Sequence, residues 1–328
     1  MDGGARRQIP IVCPGHSRPL TEVQYCPNPT PNPQATGHVH YLLVSGCHDK
    51  LPMLRCGKSG NWIGTFEGHK GAVWSAKLNG DGSLAMTGSG DFSAKLWDAV
   101  TGDNLRTFDH KHIVKSVEFI NNGAWVATGG HEKLLRVFDL ADAGTTPLFT
   151  MTADEGIRKI VEIPGLPQVT VVTGDTAGNV VVWNVETQTR IAAVHVDVAG
   201  GVMDMEASRG GRVLTVAAGA KVSFFDTTTW TLIFDVSMPI TFNAEGGASL
   251  HPTLDRFIAG GSDTWVRVFA WEGGVGKELE CHKGHHGPVR CLRYAPNGES
   301  FATGSEDGTI RIWQTDVTSA HATSVGLE

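Results

Sequence analysis

Two widely separated stretches of this chain carry the same pattern of residues. Residues 68–73 (GHKGAV) match residues 284–289 (GHHGPV), and residues 86–91 (MTGSGD) match residues 302–307 (ATGSED). In both stretches a His precedes a Trp by 28 residues, from His69 to Trp97 and from His285 to Trp313. Such an internal repeat constrains the fold strongly, because every copy must form the same structural unit and stack on its neighbours.

The aromatic residue that closes each copy recurs along most of the chain, at intervals of 41 to 45 residues, with Arg55 in the place of the first one. The six aromatic positions are Trp97, Phe138, Trp183, Phe225, Phe269 and Trp313. This period is typical of the WD40 repeat, in which four antiparallel strands form one blade. The 41 glycines also favour short strands and tight turns over helices. The sequence therefore predicts an all-β fold, a seven-bladed WD40 β-propeller.

The polar residues of the repeat suit a structural role. A buried Asp in a turn can orient a His, the His can reach a hydroxyl, and the hydroxyl can accept a hydrogen bond from an indole N–H. A Ser/Thr-His-Asp catalytic triad has similar chemistry, but a set that repeats around a ring indicates structure. We therefore predict no catalytic residues and no enzyme. The structural sets are His69, Thr87, Asp91 and Trp97 in unit two, and His285, Thr303, Asp307 and Trp313 in unit seven.

The polar set is incomplete in the middle of the chain. Unit three has Glu132 at the Asp position, and unit four has Ala153 at the His position. Units three, five and six have Phe in place of Trp. Because Phe cannot donate a hydrogen bond, the polar chain is cut there. We expect units four to six to be the softer side of the ring.

A propeller must join its first and last blades, and the N-terminal segment 8–13 (QIPIVC) is suited to this. It is β-prone, and its Pro fits an edge strand, where no N–H is needed. We predict that it completes the last blade and closes the ring of a single domain. The predicted blade ranges are 15–57, 58–99, 100–140, 141–185, 186–227, 228–271 and 272–315, followed by a short tail, 316–328. The proline-rich stretch 27–40 is expected to form a surface loop.

Composition and motifs exclude several other classes of protein. The net charge of −7 provides no basic footprint, so we expect no direct nucleic-acid binding. No apolar run is long enough to span a bilayer, and we expect no signal peptide and no membrane insertion. The six cysteines include no CxxC pair, which indicates free thiols in a reducing compartment. We find no P-loop and no HExxH motif, and we predict neither a cofactor nor a bound metal.

Partner contacts in WD40 proteins concentrate at a few positions of each repeat, on one face of the ring. The resemblance to that family transfers these positions to this chain, and an exposed Trp among Arg, Lys and His has the composition of an interaction hot spot. The alternative is a solvated rim with Trp74 packed between blades. The predicted partner-binding residues are His48, Trp74, Lys115, His131, Arg158, Arg290 and Glu306.

Several local motifs resemble the serine-threonine kinase receptor-associated protein (unrip) family over nearly the whole chain. They are 15–19 (GHSRP), 50–55 (KLPMLR), 60–66 (GNWIGTF), 68–74 (GHKGAVW), 95–100 (KLWDAV) and 110–115 (HKHIVK). The resemblance implies a non-enzymatic scaffold for protein–protein interactions. It implies binding to the SMN complex with its Gemin-type Sm-like subunits, and so a part in spliceosomal snRNP assembly for mRNA splicing. It also implies association with receptor kinases and Smads in transforming-growth-factor-β signalling, and a cytoplasmic and nuclear location. We expect a monomer within a larger complex.

A second family shares part of this pattern. The i-subunit of eukaryotic translation initiation factor three is a related seven-bladed propeller with similar features around 68–74 and in the final blade. It lacks the block at residues 52–55 (PMLR). We therefore favour the first family and keep the second as the alternative.

Overall fold

The structure, a computed structural model, describes residues 8–29, 41–196, 200–242, 246–271 and 276–316. Within these ranges the chain forms strands and connecting turns, and no helix long and apolar enough to cross a membrane is found. The strands are β1 (Ile11–Cys13), β2 (Leu20–Tyr25), β3 (Leu42–Cys47), β4 (Met53–Cys56), β5 (Trp62–Thr65), β6 (Val73–Leu78), β7 (Leu84–Ser89), β8 (Ser93–Asp98), β9 (Asn104–Asp109), β10 (Val114–Ile120), β11 (Trp125–Gly130), β12 (Leu134–Asp139), β13 (Phe149–Thr152), β14 (Ile157–Glu162), β15 (Thr170–Asp175), β16 (Asn179–Asn184), β17 (Thr189–His195), β18 (Val202–Ala207), β19 (Val213–Asp226), β20 (Leu232–Phe242), β21 (Gly247–Leu250), β22 (Arg256–Gly260), β23 (Trp265–Ala270), β24 (Glu278–Lys283), β25 (Val289–Tyr294), β26 (Ser300–Ser305) and β27 (Ile310–Gln314).

These strands form seven antiparallel sheets, the blades of a β-propeller, as predicted. Blades 1 to 4 are β2–β5, β6–β9, β10–β13 and β14–β17; blade 5 is β18–β20, and blade 6 is β21–β24. Blade 5 has a long β19, whose first half pairs with β18 and whose second half pairs with β20. Gly219, between the two halves, has a positive φ of 58°, which glycine adopts without steric cost.

Blade 7 contains both ends of the described chain. Strand β1 pairs antiparallel with β27, with Ile11 opposite Ile312 and Cys13 opposite Ile310. The predicted closure of the ring by an N-terminal strand is therefore confirmed. The regular strand begins at Ile11, directly after Pro10, which has no N–H to contribute to a ladder. The side chain of Gln8 donates a hydrogen bond to the carbonyl oxygen of Gln314 at 2.7 Å.

The sheets are offset from the blade ranges predicted from the sequence. In each of blades 1 to 6 the last strand lies within the range predicted for the next blade, as β5 does. The reason is that each predicted range ends just after the closing residue of its unit, and in blades 1 to 6 this residue lies on the strand before the last one of its sheet. Of the predicted surface loop 27–40 the structure describes only 27–29, which are exposed, and the predicted tail lies outside the described residues after Asp316.

The apolar core consists of clusters in which neighbouring blades pack together. Between blades 1 and 2, Val44 and Leu54 pack with Leu78 and Trp97, and Trp97 is fully buried. Between blades 5 and 6 the cluster includes several aromatic rings, and those of Phe224 and Phe257 are 5.1 Å apart. The first strand of every sheet lies innermost, and its side chains line the central channel. The two ends of these first strands surround the two mouths of the channel. We call the mouth at which these first strands begin the upper face.

Candidate partner-binding face and central channel

The predicted polar set of blade 2 forms a continuous hydrogen-bonded chain. His69 Nδ1 lies 2.8 Å from the Asp91 carboxylate, and His69 Nε2 lies 2.7 Å from Thr87 Oγ1. The Trp97 indole N–H donates to the same hydroxyl oxygen at 2.8 Å. Burial acts to raise the pKa of Asp91, but hydrogen bonds from His69 and Ser93 outweigh it and hold this pKa well below its usual range. The Thr87 oxygen is thus fully engaged inside the blade, which suits a structural role.

Blade 7 repeats this arrangement. His285 Nδ1 lies 3.1 Å from Asp307 and its Nε2 lies 2.8 Å from Thr303 Oγ1. The indole of Trp313 donates to Thr303 at 3.0 Å. The indoles of Trp97 and Trp313 are both buried, so each hydrogen-bonded chain links the upper face to the core between blades.

Blade 1 contains a variant of the set, in addition to the two sets that were predicted as structural. His16 lies 2.8 Å from both Asp49 and Ser45, in the positions of His69, Asp91 and Thr87. Arg55 takes the place of the Trp and is only 3% exposed. Its guanidinium donates to the carbonyl oxygens of Pro14, directly after β1, at 2.5 Å and of Gly60, in the turn before β5, at 3.2 Å. The spacing from His16 to Asp49 is longer than that from His69 to Asp91 in blade 2, because unit one contains the inserted stretch.

Three potential metal ligands, His16, Cys47 and Asp49, lie close together in blade 1. Both ring nitrogens of His16 are already engaged by Asp49 and Ser45. Cys47 corresponds to Ser89 of blade 2, and its thiol donates to the carbonyl oxygen of Arg18 at 3.1 Å. Burial raises the pKa of this thiol to about 12. The donors are therefore arranged as a hydrogen-bonded network inside the blade and not as a cradle for an ion.

In blades 3 to 6 the hydrogen-bonded chain of side chains is incomplete, as the residue types predict. His110 reaches Thr128 at 2.9 Å, and Trp183 donates to Thr173 at 2.9 Å. In blade 5 the Thr215 hydroxyl is buried without a hydrogen-bond partner among the described residues. In blade 6 Asp263 accepts a hydrogen bond from Arg267 at 2.7 Å.

The centre of the upper face is built around the half-buried indole of Trp74, the second residue of β6. The His48 ring meets it edge-on, with ring centroids 4.7 Å apart. The ammonium of Lys115, the second residue of β10, lies 2.9 Å from the centre of the same ring. The structure therefore brings three predicted residues from blades 1, 2 and 3 into direct contact. The Trp74 indole nitrogen is buried with no hydrogen-bond partner among the described residues.

A second group of rings lies beside this centre. The ring centroid of His112 is 5.0 Å from that of His131, in a stacked arrangement, and 5.4 Å from that of Phe92. Phe92 is 44% exposed and has a positive φ of 69°. Burial lowers the pKa of His131, and the nearby charges of Lys115 and Arg158 lower it further. The repeat positions used for prediction omit Phe92 and His112, although a bulky residue directly after the turn Asp91 was a visible signal.

The remaining predicted residues lie farther round the ring. Arg158, the second residue of β14, points a guanidinium nitrogen at the sulfur of Met203, 2.8 Å away. Arg290, the second residue of β25, pairs with Glu306 at 2.9 Å within blade 7. Since both arginines occupy the same strand position as Trp74 and Lys115, they lie on the upper face, but Arg290 and Glu306 form a pair of their own.

The channel between the two mouths is crossed by ion pairs that were not predicted from the sequence. Glu22 of blade 1 contacts Lys159 of blade 4 at 3.1 Å, across the channel, and Lys77 of blade 2 at 3.3 Å. On the other side Arg293 of blade 7 makes two contacts of 2.6 Å with Asp204 of blade 5. These salt bridges join blades that share no strand pairing.

The pKa values of these groups follow from their surroundings. Burial acts to raise the pKa of Glu22, but Lys159 and Lys77 outweigh it and hold this pKa well below its usual range. Neighbouring carboxylates raise the pKa of the Arg293 guanidinium against the effect of burial. In six of the seven blades the first strand carries a charged residue at its third or fifth position, so a signal existed in the sequence.

The lower mouth opens into a cavity of about 570 Å³ lined by all seven blades. Glu118, Glu162 and Glu206 lie in its wall. Burial raises the pKa of Glu162 to about 7, and the neighbouring Glu118 carboxylate contributes to this rise.

Comparison with known proteins places this geometry in context. The family model for the WD domain, G-beta repeat, matches residues 60–98, 102–139 and 276–314. The chain is 42% identical over 313 residues to the serine-threonine kinase receptor-associated protein of Gallus gallus, covering 95% of this chain and 84% of that protein. It is 40% identical to the protein of the same name from Dictyostelium discoideum, covering 93% and 98%. It is 27% identical to eukaryotic translation initiation factor 3 subunit I of Drosophila grimshawi, covering 94% and 97%.

Proposed function

Because this chain belongs to the family of serine-threonine kinase receptor-associated proteins, a WD40 scaffold family, we propose that it is a non-enzymatic adaptor that captures partner proteins on the upper face. The observation that carries this proposal is the contact of His48, Trp74 and Lys115, contributed by three blades. A half-buried Trp beside a cation provides the aromatic and charged anchor on which interface energy usually concentrates. In contrast, the four residues of each structural set, which we call a tetrad, have their polar atoms engaged within the blades.

Within this proposal we assign the chain to SMN-complex-linked assembly of spliceosomal snRNPs, in the cytoplasm and the nucleus. The sequence motifs shared with the unrip family support this assignment. The name of the relatives supports a second role as a companion of receptor kinases. The initiation-factor alternative is weaker, because the identity to that subunit is 27% against about 40% for the family. Affinity purification of the tagged chain followed by mass spectrometry separates the two. Sm and Gemin-type proteins support the first assignment, and initiation-factor subunits overturn it.

A pair of matched double variants tests the upper face as the capture site. Trp74→Ala with Arg290→Glu removes the aromatic anchor and reverses a charge on the upper face. Trp62→Ala with Lys58→Glu makes the same kinds of change at the outer edge of blade 1, where Trp62 is 60% exposed. We expect the first variant to lose partner capture in a pull-down and the second to keep it, with both folded by circular dichroism. The opposite result would move the site to the blade edge.

A further inference from the structure

The upper face is divided into two parts of different chemistry. Blades 2 to 4 carry a basic aromatic patch, which we define as Trp74, Phe92, His112, Lys115, His131 and Arg158. The Lys115 ammonium lies over the Trp74 ring at 2.9 Å, and the stacked imidazoles of His112 and His131 lie next to the exposed Phe92 ring. In blade 7 the corresponding surface contains the Arg290–Glu306 pair, in which a cation and an anion neutralise each other.

Two carboxylates near the basic aromatic patch, Asp91 and Glu132, are engaged within their own blades. Asp91 accepts hydrogen bonds from His69 and from the backbone N–H of Lys70 at 2.8 Å each. Glu132 accepts from the guanidinium of Arg136 and from the backbone N–H of His112 at 3.1 Å. Their charges are thus directed into the turns. The patch combines half-buried cations with the exposed rings of Phe92, His112 and His131, on a chain whose net charge is −7.

This combination favours an acidic peptide over a nucleic acid. A single-stranded nucleic acid is held by a long positive groove that follows many phosphates, and the net charge of this chain opposes a long polyanion. A short peptide needs only a few carboxylates near the cations and one apolar side chain near the rings. Complementary charge of this kind speeds encounter and selects partners.

We infer that the basic aromatic patch binds an acidic peptide segment of a partner protein, with carboxylates facing Lys115 and Arg158 and an apolar side chain against Phe92. The inference rests on the proposed function, because it names the kind of partner segment that the upper face takes. It also distinguishes the two parts of that face, since the neutralised pair in blade 7 contributes little to such a ligand.

Fluorescence anisotropy with defined probes tests this inference. The probe is a fluorescein-labelled glutamate-rich peptide with one central phenylalanine, and its control is the same peptide with every glutamate replaced by glutamine. A short oligouridylate serves as the nucleic-acid probe. We expect the acidic peptide to bind at least about tenfold more tightly than the glutamine peptide, and more weakly as salt is raised. Oligouridylate should bind more weakly than the acidic peptide.

Two charge reversals locate the binding. Lys115→Glu should weaken binding of the acidic peptide by at least about tenfold, because an attraction becomes a repulsion. Lys58→Glu, an exposed change at the outer edge of blade 1, should leave binding unchanged. Phe92→Ala should weaken binding without changing its salt dependence. Equal binding of the two peptides, tighter binding of oligouridylate, or equal effects of the two lysine changes would overturn the inference.

The inference and the proposed function can fail separately. If the upper-face double variant loses its natural partners but the acidic peptide does not bind, the upper face is the capture site and the acidic ligand is wrong. If Lys115→Glu abolishes peptide binding while the upper-face double variant still captures its partners, the patch takes acidic peptides and the proposed capture site is wrong.

Discussion

At the scale of single residues, the Trp97 indole links the apolar core to the polar chain of its blade. Its ring is fully buried between blades 1 and 2, and its N–H donates to Thr87. The same side chain packs on the ring of Phe66, 5.5 Å away between centroids. A substitution here therefore removes apolar contacts and leaves the hydroxyl with one partner fewer.

Trp97→Ala should lower the free energy of unfolding by about 3–5 kcal/mol, the usual cost of truncating a large buried aromatic. Urea unfolding followed by circular dichroism measures the change. Trp62→Ala is the matched control, because Trp62 is 60% exposed and donates only to the nearby Thr65 hydroxyl. Similar losses in the two variants would contradict the structural role of the tetrad.

The residues of this tetrad could be predicted because they recur at a fixed spacing. The channel residues could not be paired in the same way. Glu22 and Lys159 are 137 positions apart, and only closure of the ring brings them to 3.1 Å. Along the strands the same charges resemble solvent-facing residues of an alternating pattern. Phe92 and His112 lie at turn positions outside the repeat rule, and their contact depends on how two neighbouring blades are rotated.

At the scale of strands and blades, β1 has three residues but connects the first and last parts of the chain. Its Cys13 is buried, and Gly60 of blade 1 lies so close that a side chain there would meet the Cys13 sulfur and Ile11. The strand thus contributes to the contact between blades 7 and 1 as well as to the ladder with β27.

Deleting residues 1–13 should expose the edge of β27 and weaken the joint between blades 7 and 1. An unpaired edge strand pairs readily with other chains, so we expect a lower melting temperature and soluble oligomers. Size-exclusion chromatography with light scattering measures the oligomers. Deleting residues 1–7 keeps β1 and is the matched control. A truncated chain that stays monomeric with an unchanged melting temperature would show that β1 is dispensable for closure.

The blades also differ in how completely their polar chains are formed. Blades 2 and 7 have all four residues, whereas blade 5 leaves the Thr215 hydroxyl buried without a partner among the described residues. We expect strand amides of blades 4 to 6 to exchange with solvent faster than those of blades 2 and 7 in native-state hydrogen exchange. The aromatic packing of Phe224 and Phe257 opposes this difference. Uniform protection in all blades would mean that this packing fully compensates.

At the scale of the whole molecule, the ring encloses a channel with different chemistry at its two ends. The upper mouth carries rings and cations, salt bridges between blades cross the middle, and the lower cavity carries glutamates. The salt bridges across the channel connect non-adjacent blades, as Glu22 and Lys159 do. Breaking a buried pair by removing one partner is costly, because the other charge stays buried without compensation. The channel therefore couples the stability of one blade to that of the blades opposite.

The lower cavity gives the stability of the folded chain a dependence on pH. Glu162 accepts a hydrogen bond from the backbone N–H of Asn121 at 2.7 Å, and burial raises its pKa to about 7. An unfolded Glu titrates near ~4.3. Between these two values the folded chain binds more protons at this site than the unfolded chain does. The contribution of Glu162 to stability is therefore highest below the unfolded pKa and falls as the pH rises to about 7.

Glu162→Gln should remove this dependence, because a neutral amide keeps the oxygen that accepts from Asn121 and never acquires the buried charge. We expect the variant to melt at a higher temperature than the parent chain at pH 8 and at nearly the same temperature close to pH ~4, the unfolded value of the group. Differential scanning calorimetry over this range measures the difference. Glu186→Gln, an exposed change in the turn before β17, is the matched control and should show no pH-dependent gain. A gain of equal size at both pH values would mean that the amide improves packing and that the charge of Glu162 is not what destabilises the lower cavity.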